Sequence, residues 1–307
     1  MDREEEGELP GLERLMALRR SRIAKLSEVE RVALRRLIED PKFELIPLSD
    51  VGEQAAFLPP GVTVTVTASP AKGIEATIEL AEKMAAVGHP AIPHLSARMI
   101  RDRAHLAELL QRLAVAGLTS VFVVGGDPID ADGFPDGLAL LRAIEETGPR
   151  PSEIGIPGYP EGHVDIDAVV LGTALRDKSV HADYIATQLC LDPTAIASWV
   201  QWLRASGIAL PVHLGTPGVA DLTKLLSIAT KIGVGGSARY LSKNRRAVGR
   251  LVRKGGYRPD GLLEDLAPVL ADANADVRAL HLFTFNQVER TVDWQRRMLE
   301  ELSIQAR

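Results

Sequence analysis

Strand-like and helix-like patterns alternate along most of the chain, and this alternation constrains the fold more than any other feature. Short runs of apolar and β-branched residues are separated, almost everywhere, by segments with apolar residues at helical spacing. Alternation of this kind predicts a parallel sheet covered by helices. The eight predicted strands are residues 43–47, 62–67, 90–96, 120–124, 153–159, 184–191, 211–214 and 277–285.

Eight such units over about 265 residues predict a (β/α)8 TIM barrel of the α/β class, because that fold usually takes about 250 residues. A helical pattern over residues 11–38 precedes the barrel, so we expect an N-terminal helical extension at 1–40 and a catalytic barrel domain at 41–307. A doubly wound sheet is the alternative. It is disfavoured because the approximate dinucleotide fingerprint at 233–238 follows a helical pattern rather than a strand.

The composition narrows the function classes. An apolar fraction of 46% and a charged fraction of 25% are typical of soluble globular proteins, and the net charge of −5 argues against a nucleic-acid partner. Cys190 is the single cysteine, which excludes an intrachain disulfide. The sequence has no apolar run long enough to span a membrane and no signal-peptide pattern, so we expect a cytoplasmic protein. Its oligomeric state stays open.

Polar residues follow the predicted strands, where a barrel of this class places its active site. Gln188 is expected inside the strand at 184–191, where a buried amide without a partner would cost about 1–3 kcal/mol. Either the protein or a ligand must therefore supply a hydrogen-bond partner. The full set of strand-end residues is Glu44, Thr67, His94, Asp127, Tyr159, His163, Gln188, Thr284 and Asn286.

Seven short motifs lie at these strand ends in an order found in one known enzyme family. They are Phe43-Glu44, Pro93-His94-Leu95-Ser96, Gly126-Asp127, Tyr159-Pro160-Glu161-Gly162-His163, Lys178 with Ala182-Asp183 and Thr187-Gln188, Pro217-Gly218-Val219, and His281-Leu282-Phe283-Thr284-Phe285-Asn286. On these motifs, residues 41–303 resemble the methylenetetrahydrofolate reductase family.

The resemblance implies a (β/α)8 enzyme that reduces 5,10-methylenetetrahydrofolate to 5-methyltetrahydrofolate. In most members FAD carries the hydride from NADH or NADPH. Carried over by position, Glu44 is the general acid and Asp127 stabilises the developing cation, while Gln188 binds the pterin. The resemblance further implies substrate contacts from Phe283 and Gln287, and cofactor contacts from Thr67, His94, Gly125, Gly126, Tyr159, His163 and Lys178.

Departures from the family pattern concern the flavin. Gly125 stands where the family usually has an Arg for the flavin phosphates, and Leu171 stands in the closest register to an Asp that usually holds the adenosine part of FAD. Loss of a charge-assisted contact weakens binding of a phosphate. We therefore expect a flavin-independent reductase that takes hydride directly from NADH or NADPH, although Arg98 or Lys178 could compensate and hold FAD.

Three other hypotheses remain. The nearest is an FAD-dependent reductase of the same family with altered flavin contacts. The second is a metal-dependent barrel hydrolase that uses His94, His163, His213 and Asp127, which is disfavoured because the histidines lack close ligand spacing. The third is a barrel that binds its ligand without catalysis. No metal is expected.

Overall fold

The computed structural model describes residues 22–126, 133–163, 165–221, 225 and 256–304. Eight parallel strands within these residues form a closed barrel, in which each strand pairs with the next and the last pairs with the first. The predicted (β/α)8 barrel is confirmed. The doubly wound alternative is wrong, because an open sheet would leave its two edge strands unpaired. The strands are β1 (Lys42–Leu45), β2 (Val64–Val66), β3 (Ala91–Ser96), β4 (Ser120–Val124), β5 (Glu153–Gly158), β6 (Tyr184–Thr187), β7 (Val212–Pro217) and β8 (Val277–Phe283).

Helices connect the strands, and the outer ring covers the barrel. The predicted glycine-rich segment at 233–238 lies outside the described residues, as does most of the helical pattern at 221–276. None of the helices in the described part of the chain is both long enough and apolar enough to cross a membrane. The helices are α1 (Glu28–Glu39), α2 (Val51–Ala55), α3 (Gly73–Ala86), α4 (Arg103–Val115), α5 (Gly137–Thr147), α6 (Ala168–Ser179), α7 (Pro193–Ala205), α8 (Asp260–Ala271) and α9 (Val288–Ile304).

The helix after β6 begins as the sequence predicts. Asp192 is the N-cap of α7, and its carboxylate accepts a hydrogen bond from the backbone N–H of Thr194 at 2.9 Å. Pro193 occupies the first turn, where its missing N–H costs no helical hydrogen bond. Ile196, Val200 and Leu203 are buried along one face of this helix, which fixes it against the barrel.

The strand before this helix is shorter than predicted, and the expected strand at 184–191 is wrong beyond Thr187. Gln188 still donates its backbone N–H to Gly158 at 2.7 Å, but the N–H of Leu189 binds the side-chain oxygen of Gln188 at 2.8 Å instead of a neighbouring strand. Residues 189–191 are buried although they belong to a loop, and this is why their apolar sequence looks like the continuation of the strand. Gln188 is accordingly half-buried just past the strand end rather than buried within it.

The N-terminal segment packs against the end of the chain. A capping box at Ser27 begins α1, so the predicted helix at 11–38 is interrupted there, and residues 1–21 lie outside the described part. Gln295 donates to the backbone oxygen of Ile38 at 2.8 Å, and Arg36 donates to that of Val277 at 2.9 Å. These contacts hold α1 against α9 and the start of β8. A separate extension at 1–40 stays a prediction.

Side chains of the strands alternate between two environments. Phe43, Leu45 and Leu95 belong to the large apolar cluster that includes the buried faces of the helices. Their neighbours in sequence point the other way, into the barrel, because successive strand residues face opposite sides. The register sets Glu44 opposite both Thr65 and Phe283. The barrel interior therefore contains Glu44 together with polar residues of neighbouring strands, such as Thr65 and His281.

Candidate active site

A cavity of about 280 Å³ lies at the carboxyl ends of the strands. Strands β1 to β6 and β8, or the residues just after them, all contribute to its wall. The cavity brings together six of the predicted site residues, namely Glu44, Thr67, His94, Tyr159, Gln188 and Phe283. This position agrees with the rule that TIM barrels place their chemistry at the carboxyl ends of the strands.

Glu44 is a buried carboxyl in the wall of this cavity, with 7% of its surface exposed. Its Oε2 lies 3.0 Å from Nε2 of His281 and 4.0 Å from Nε2 of His94. The hydroxyl of Thr284 donates to the backbone oxygen of Glu44, and this bond anchors the end of β1. The carboxyl is thus held by one imidazole and faces a second.

His94 is buried in the same wall, with its ring centroid 4.8 Å from that of Phe122. Burial lowers the pKa of His94 to about 4, against an opposing effect of the Glu44 carboxylate, so the imidazole is neutral at neutral pH. Its Nε2 has no hydrogen-bond partner among the described residues. Since buried polar atoms are nearly always paired, this atom is a candidate contact for a ligand of the cavity.

Glu44, His94 and His281 also form a group that could hold a metal ion, because their nearest ligand atoms all lie within 4.8 Å of one another. Two imidazoles and a carboxylate are a common ligand set for divalent transition metals. This is a different group from the predicted one of His94, His163, His213 and Asp127. Nδ1 of His163 accepts the backbone N–H of Asp165 at 3.1 Å.

Of the remaining two residues of that predicted metal group, the structure describes His213, which is not in the group of Glu44, His94 and His281. The ring of His213 stacks on Tyr184 with 4.1 Å between ring centroids, and it is not part of the cavity wall. Asp127 lies outside the described residues.

The side-chain amide of Gln188 is hydrogen-bonded to the protein through its oxygen but not through its NH2 group, as far as the described residues show. Its side-chain oxygen accepts the N–H of Leu189, so the protein supplies a partner for the acceptor. The amide NH2 makes no hydrogen bond within the described ranges and belongs to a residue of the cavity wall. Gln188 therefore presents a donor to whatever occupies the cavity.

Other predicted residues lie elsewhere. The side chain of Gln287 accepts a hydrogen bond from Arg290 at 3.1 Å and is not part of the cavity wall. His163 packs edge to face on Tyr159, with ring centroids 5.8 Å apart. Asn286 binds the backbone of Ile46 through both ends of its amide, which makes it a support for the chain after β1.

A second cavity of about 430 Å³ lies beside the first, and Pro157 and Tyr159 line both. Leu171 and Lys178 on α6 face Trp199 and Trp202 on α7 across it. Burial lowers the pKa of the Lys178 amine, and the charge of Asp136 opposes this effect. Lys178, predicted as a cofactor contact, is thus in the second cavity rather than the first.

Gly125 and Gly126 follow β4, next to Val124 of the cavity wall. Gly126 has a φ of 81°, a region that favours glycine, and a Cβ on it would come within 2.0 Å of Oγ of Ser96. The backbone conformation and the close approach of Ser96 both require glycine at position 126. A Cβ on Gly125 would lie 3.7 Å from Nη1 of Arg98.

His281 is a site residue that the sequence did not predict, although it is the first residue of the motif His281-Leu282-Phe283-Thr284-Phe285-Asn286. The signal that identifies it is the two-residue period of the last strand, in which Ala279, His281 and Phe283 share one face. Phe283 was predicted to reach the site, so His281 two residues earlier points into the same barrel. Phe122, Val124 and Phe285 complete the apolar wall and were also missed.

Comparisons with known proteins point to one family. The family model described as "Methylenetetrahydrofolate reductase" matches residues 48–294. Methylenetetrahydrofolate reductase 1 of Schizosaccharomyces pombe is 33% identical over 117 residues, which are 34% of this chain and 19% of that protein. Methylenetetrahydrofolate reductase 2 of the same yeast is 30% identical over 131 residues, or 38% of this chain and 20% of that protein. The matched region therefore spans about a fifth of the length of these relatives.

One solved structure shares the fold. It is an uncharacterized protein from Clostridium thermocellum that binds two copies of 5-methyl-5,6,7,8-tetrahydrofolic acid. The TM-score is 0.60 at 11% sequence identity, and the match covers 86% of this chain and 94% of that chain. At this identity the likeness shows a common barrel architecture.

Proposed function

Since the chain belongs to the methylenetetrahydrofolate reductase family, we propose that it reduces 5,10-methylenetetrahydrofolate to 5-methyltetrahydrofolate with hydride taken directly from NADH or NADPH. One observation carries this proposal. A buried carboxyl, Glu44, stands in the wall of the strand-end cavity beside a neutral imidazole, His94, whose Nε2 has no partner within the described residues.

Glu44 is the general acid in this proposal. It gives its proton to N10 of the folate, the five-membered ring opens, and the charge moves to an iminium at N5. Hydride addition to the exocyclic methylene then yields the N5-methyl group, and Glu44 is left as a carboxylate. The neutral imidazole of His94 lies 4.0 Å from this carboxyl.

Gln188 and Phe283 hold the pterin. The amide NH2 of Gln188, which makes no hydrogen bond to the described residues, is a donor for the carbonyl or ring nitrogens of the pterin edge, and the ring of Phe283 offers an apolar face in the same cavity. Asp127, which follows Gly126 and lies outside the described residues, is proposed to stabilise the cation. Positioning of the two reactants against each other supplies much of the rate enhancement of such a reaction.

We propose that the dinucleotide spans the two neighbouring cavities. Its nicotinamide ring would lie beside the pterin in the first, and its adenosine would lie in the second, which is lined by Trp199 and Trp202. Leu171 and Gly125 stand where the family resemblance implies flavin-binding Asp and Arg, so we propose that nicotinamide dinucleotide occupies this groove. When bound, it supplies the hydride, while the protein supplies orientation and the proton.

An absorption spectrum of the purified protein, followed by an activity assay, tests the proposal. We expect a colourless protein that oxidises NADH or NADPH only when methylenetetrahydrofolate is present and without added flavin. A yellow protein with flavin bands, or activity that needs added FAD, would contradict direct transfer and support the FAD-dependent alternative. If the protein showed no activity either with or without added FAD, that result would contradict the reductase function itself.

The metal-dependent hydrolase keeps one observation in its favour, namely the group of Glu44, His94 and His281. Elemental analysis of the purified protein separates the two functions. A reductase of the proposed type keeps its activity after dialysis against a chelator. Stoichiometric zinc or manganese, together with an activity that the chelator abolishes, would support the hydrolase instead.

A further inference from the structure

We propose that Glu44, His94 and His281 form a binding site for a divalent transition-metal ion such as Zn²⁺, and that an ion bound there inhibits the reductase. The ion is a reversible ligand in this proposal and not a cofactor of the reaction. The binding site rests on the geometry of the three side chains. Its inhibitory effect rests on the proposed function, because it follows from the role of Glu44 as the general acid.

The closure of the barrel brings the three side chains together. Glu44, His94 and His281 belong to β1, β3 and β8, and β1 pairs with β8 on one side and with β2, the neighbour of β3, on the other. All three side chains line the cavity of about 280 Å³, and each residue is more than nine-tenths buried. Strands rather than loops therefore hold the three groups, which favours a fixed arrangement of ligands.

The separations between the ligand atoms suit a metal ion. Oε2 of Glu44 is 3.0 Å from Nε2 of His281 and 4.0 Å from Nε2 of His94. Zinc binds nitrogen and oxygen ligands at about 2.0–2.2 Å, so two ligands of a tetrahedral ion are about 3.3–3.6 Å apart. The two observed separations lie on either side of this range, and small rotations of the side chains would complete the site.

His94 supplies a second observation that points to a ligand. Its Nε2 is buried in the cavity wall and has no hydrogen-bond partner within the described residues. A metal ion between this nitrogen and the Glu44 carboxylate would give both groups a partner. Nε2 of His281 can present a lone pair in the same direction, because a neutral imidazole can carry its hydrogen on Nδ1 instead.

The ligand set determines which ions bind. Two imidazoles and one carboxylate favour divalent transition metals, whereas Mg²⁺ prefers oxygen ligands. Three protein ligands leave the fourth position of a tetrahedral ion open. Because all three side chains line the cavity, water or a solute in the cavity can take this fourth position.

The surroundings of the two imidazoles favour an ion that exchanges readily. In tight metal sites each ligating histidine usually donates its other ring N–H to a carboxylate or a carbonyl, and loss of such a partner costs about 10- to 100-fold in affinity. Nδ1 of His94 and Nδ1 of His281 make no hydrogen bond with any described residue. A chelator should therefore remove the ion, which distinguishes it from a resident cofactor.

Metal binding removes the general acid. An ion on Oε2 of Glu44 requires the carboxylate form, so the proton that the proposed reaction gives to N10 of the folate is absent. The ion also occupies the cavity wall beside which the pterin is proposed to bind. No covalent bond of the protein changes, so removal of the ion should restore activity.

Titration with Co²⁺, followed by visible absorption, tests the site without an activity assay. The full chain without a histidine tag should bind one Co²⁺ with the strong d–d bands of a tetrahedral ion, and Zn²⁺ but not Mg²⁺ should displace it. His94→Gln should weaken Co²⁺ binding by more than about 100-fold, since loss of an outer partner alone costs about 10- to 100-fold. His213→Phe removes a buried histidine outside the group and is the matched control, which should bind Co²⁺ like wild type.

Reductase assays with and without Zn²⁺ test the inhibition. Wild type should lose its activity in proportion to the occupancy measured in the titration, and a chelator should restore it. The activity of His94→Gln, relative to its own rate without metal, should resist Zn²⁺. Circular dichroism shows whether this variant is folded, and Glu44→Gln serves for the Co²⁺ titration if it is not.

The outcomes separate this inference from the proposed function. Absence of the Co²⁺ bands, or equal Co²⁺ affinity of wild type and a folded variant of the group, would overturn the site and leave the reductase intact. Full reductase activity with the site saturated by Zn²⁺ would overturn the inhibition. Co²⁺ binding that depends on His94, in a protein without reductase activity, would support the site and contradict the proposed function.

Discussion

The two ends of the barrel interior contain similar residue types in different arrangements. At the carboxyl ends of the strands, Glu44, His94 and His281 meet beside a cavity of about 280 Å³. Of these, the Nε2 atom of His94 has no partner within the described residues. The polar groups here are held in place and adjoin empty space.

Towards the amino ends, the interior is filled by side chains. The ring of Tyr184 packs so closely over Gly155 that a Cβ there would lie 2.2 Å from Cζ of the tyrosine. His213 stacks on one side of this ring, and the amine of Lys42 lies 4.6 Å from its centroid. This end resembles a packed core that happens to contain polar atoms.

The comparison shows that a shifted pKa is not by itself a sign of chemistry. Burial lowers the pKa of His94 to about 4 and that of His213 to about 2, so the larger shift is in the packed end. What distinguishes the candidate site is that its buried histidine, His94, lies in the wall of the cavity of about 280 Å³, whereas His213 does not. Four predictions test this distinction.

Glu44→Gln should have the largest effect on activity. Loss of the general acid lowers kcat by about 100- to 10,000-fold, while the amide can keep a hydrogen bond to His281 and preserve the fold. Steady-state kinetics and thermal melting measure the two properties. Folate affinity should be retained. A variant with wild-type turnover would contradict the assignment of Glu44, and wild type with affinity but no turnover would favour a non-catalytic barrel.

Tyr184→Ala should do the opposite of Glu44→Gln, because it should lower stability and leave activity nearly unchanged. Removing a large buried ring lowers the free energy of unfolding by about 3–5 kcal/mol, while the kcat of the folded protein stays near that of wild type. Urea unfolding provides the measurement, and Tyr184→Phe, which keeps the ring, is the matched control and should lose much less stability than Tyr184→Ala. If Tyr184→Ala abolished turnover in a protein of normal stability, the two ends would not be distinct.

Acid should destabilise the protein through its buried histidines. An unfolded histidine binds a proton below about pH 6.5, whereas His94 and His213 stay neutral in the fold down to about 4 and about 2. The unfolded state therefore holds more protons between pH 6.5 and 4, and stability falls as the pH falls through this window. Each histidine contributes about 2 kcal/mol between pH 6.5 and 5.

His213→Phe checks this pH dependence at the packed end. Phenylalanine keeps the stacking on Tyr184 and cannot bind a proton, so the urea midpoint should fall less between pH 7.5 and pH 5 than in wild type. Its kcat should stay near wild type, because His213 is not part of the cavity wall. An unchanged pH slope would show that folding does not lower the pKa of His213.

Gln188→Leu should have the smallest effect. It removes one donor to the pterin and keeps a similar volume, so the KM for the folate should rise by about 3- to 10-fold with a smaller change in kcat. Gln201→Leu, on the exposed side of α7, is the matched control and should leave both constants unchanged. A KM equal to that of wild type would remove Gln188 from substrate binding.

Much of the fold could be predicted from the sequence, because each strand and helix carries its own local signal. Asp192 and Pro193 mark the start of a helix by cap chemistry alone, and the structure confirms both. The count of eight strand–helix units then predicts a closed barrel. The strand-end rule then predicts which polar residues meet, and it is correct for Glu44, His94 and Gln188, which line one cavity.

The errors have physical causes. The residues after Thr187 are as buried as a strand, so burial alone does not show where the sheet ends. There the side chain of Gln188 binds the backbone of Leu189 and ends the ladder. His281 was missed because its role depends on the pairing of β8 with β1 across the barrel closure, a register that no local pattern contains. Gln287 lies past this pairing, and its side chain binds Arg290 outside the cavity wall, so its substrate contact stays a prediction.

Isotope transfer tests the central claim, direct hydride transfer, most directly. NADH that carries deuterium at the transferred position of C4 is mixed with methylenetetrahydrofolate and the protein in ordinary water, and the product methyl group is analysed by mass spectrometry. Direct transfer predicts one deuterium in the methyl group and no dependence on solvent isotope. A product in which the deuterium is replaced by solvent hydrogen would contradict direct transfer, because a reduced flavin exchanges its N5 hydrogen with water.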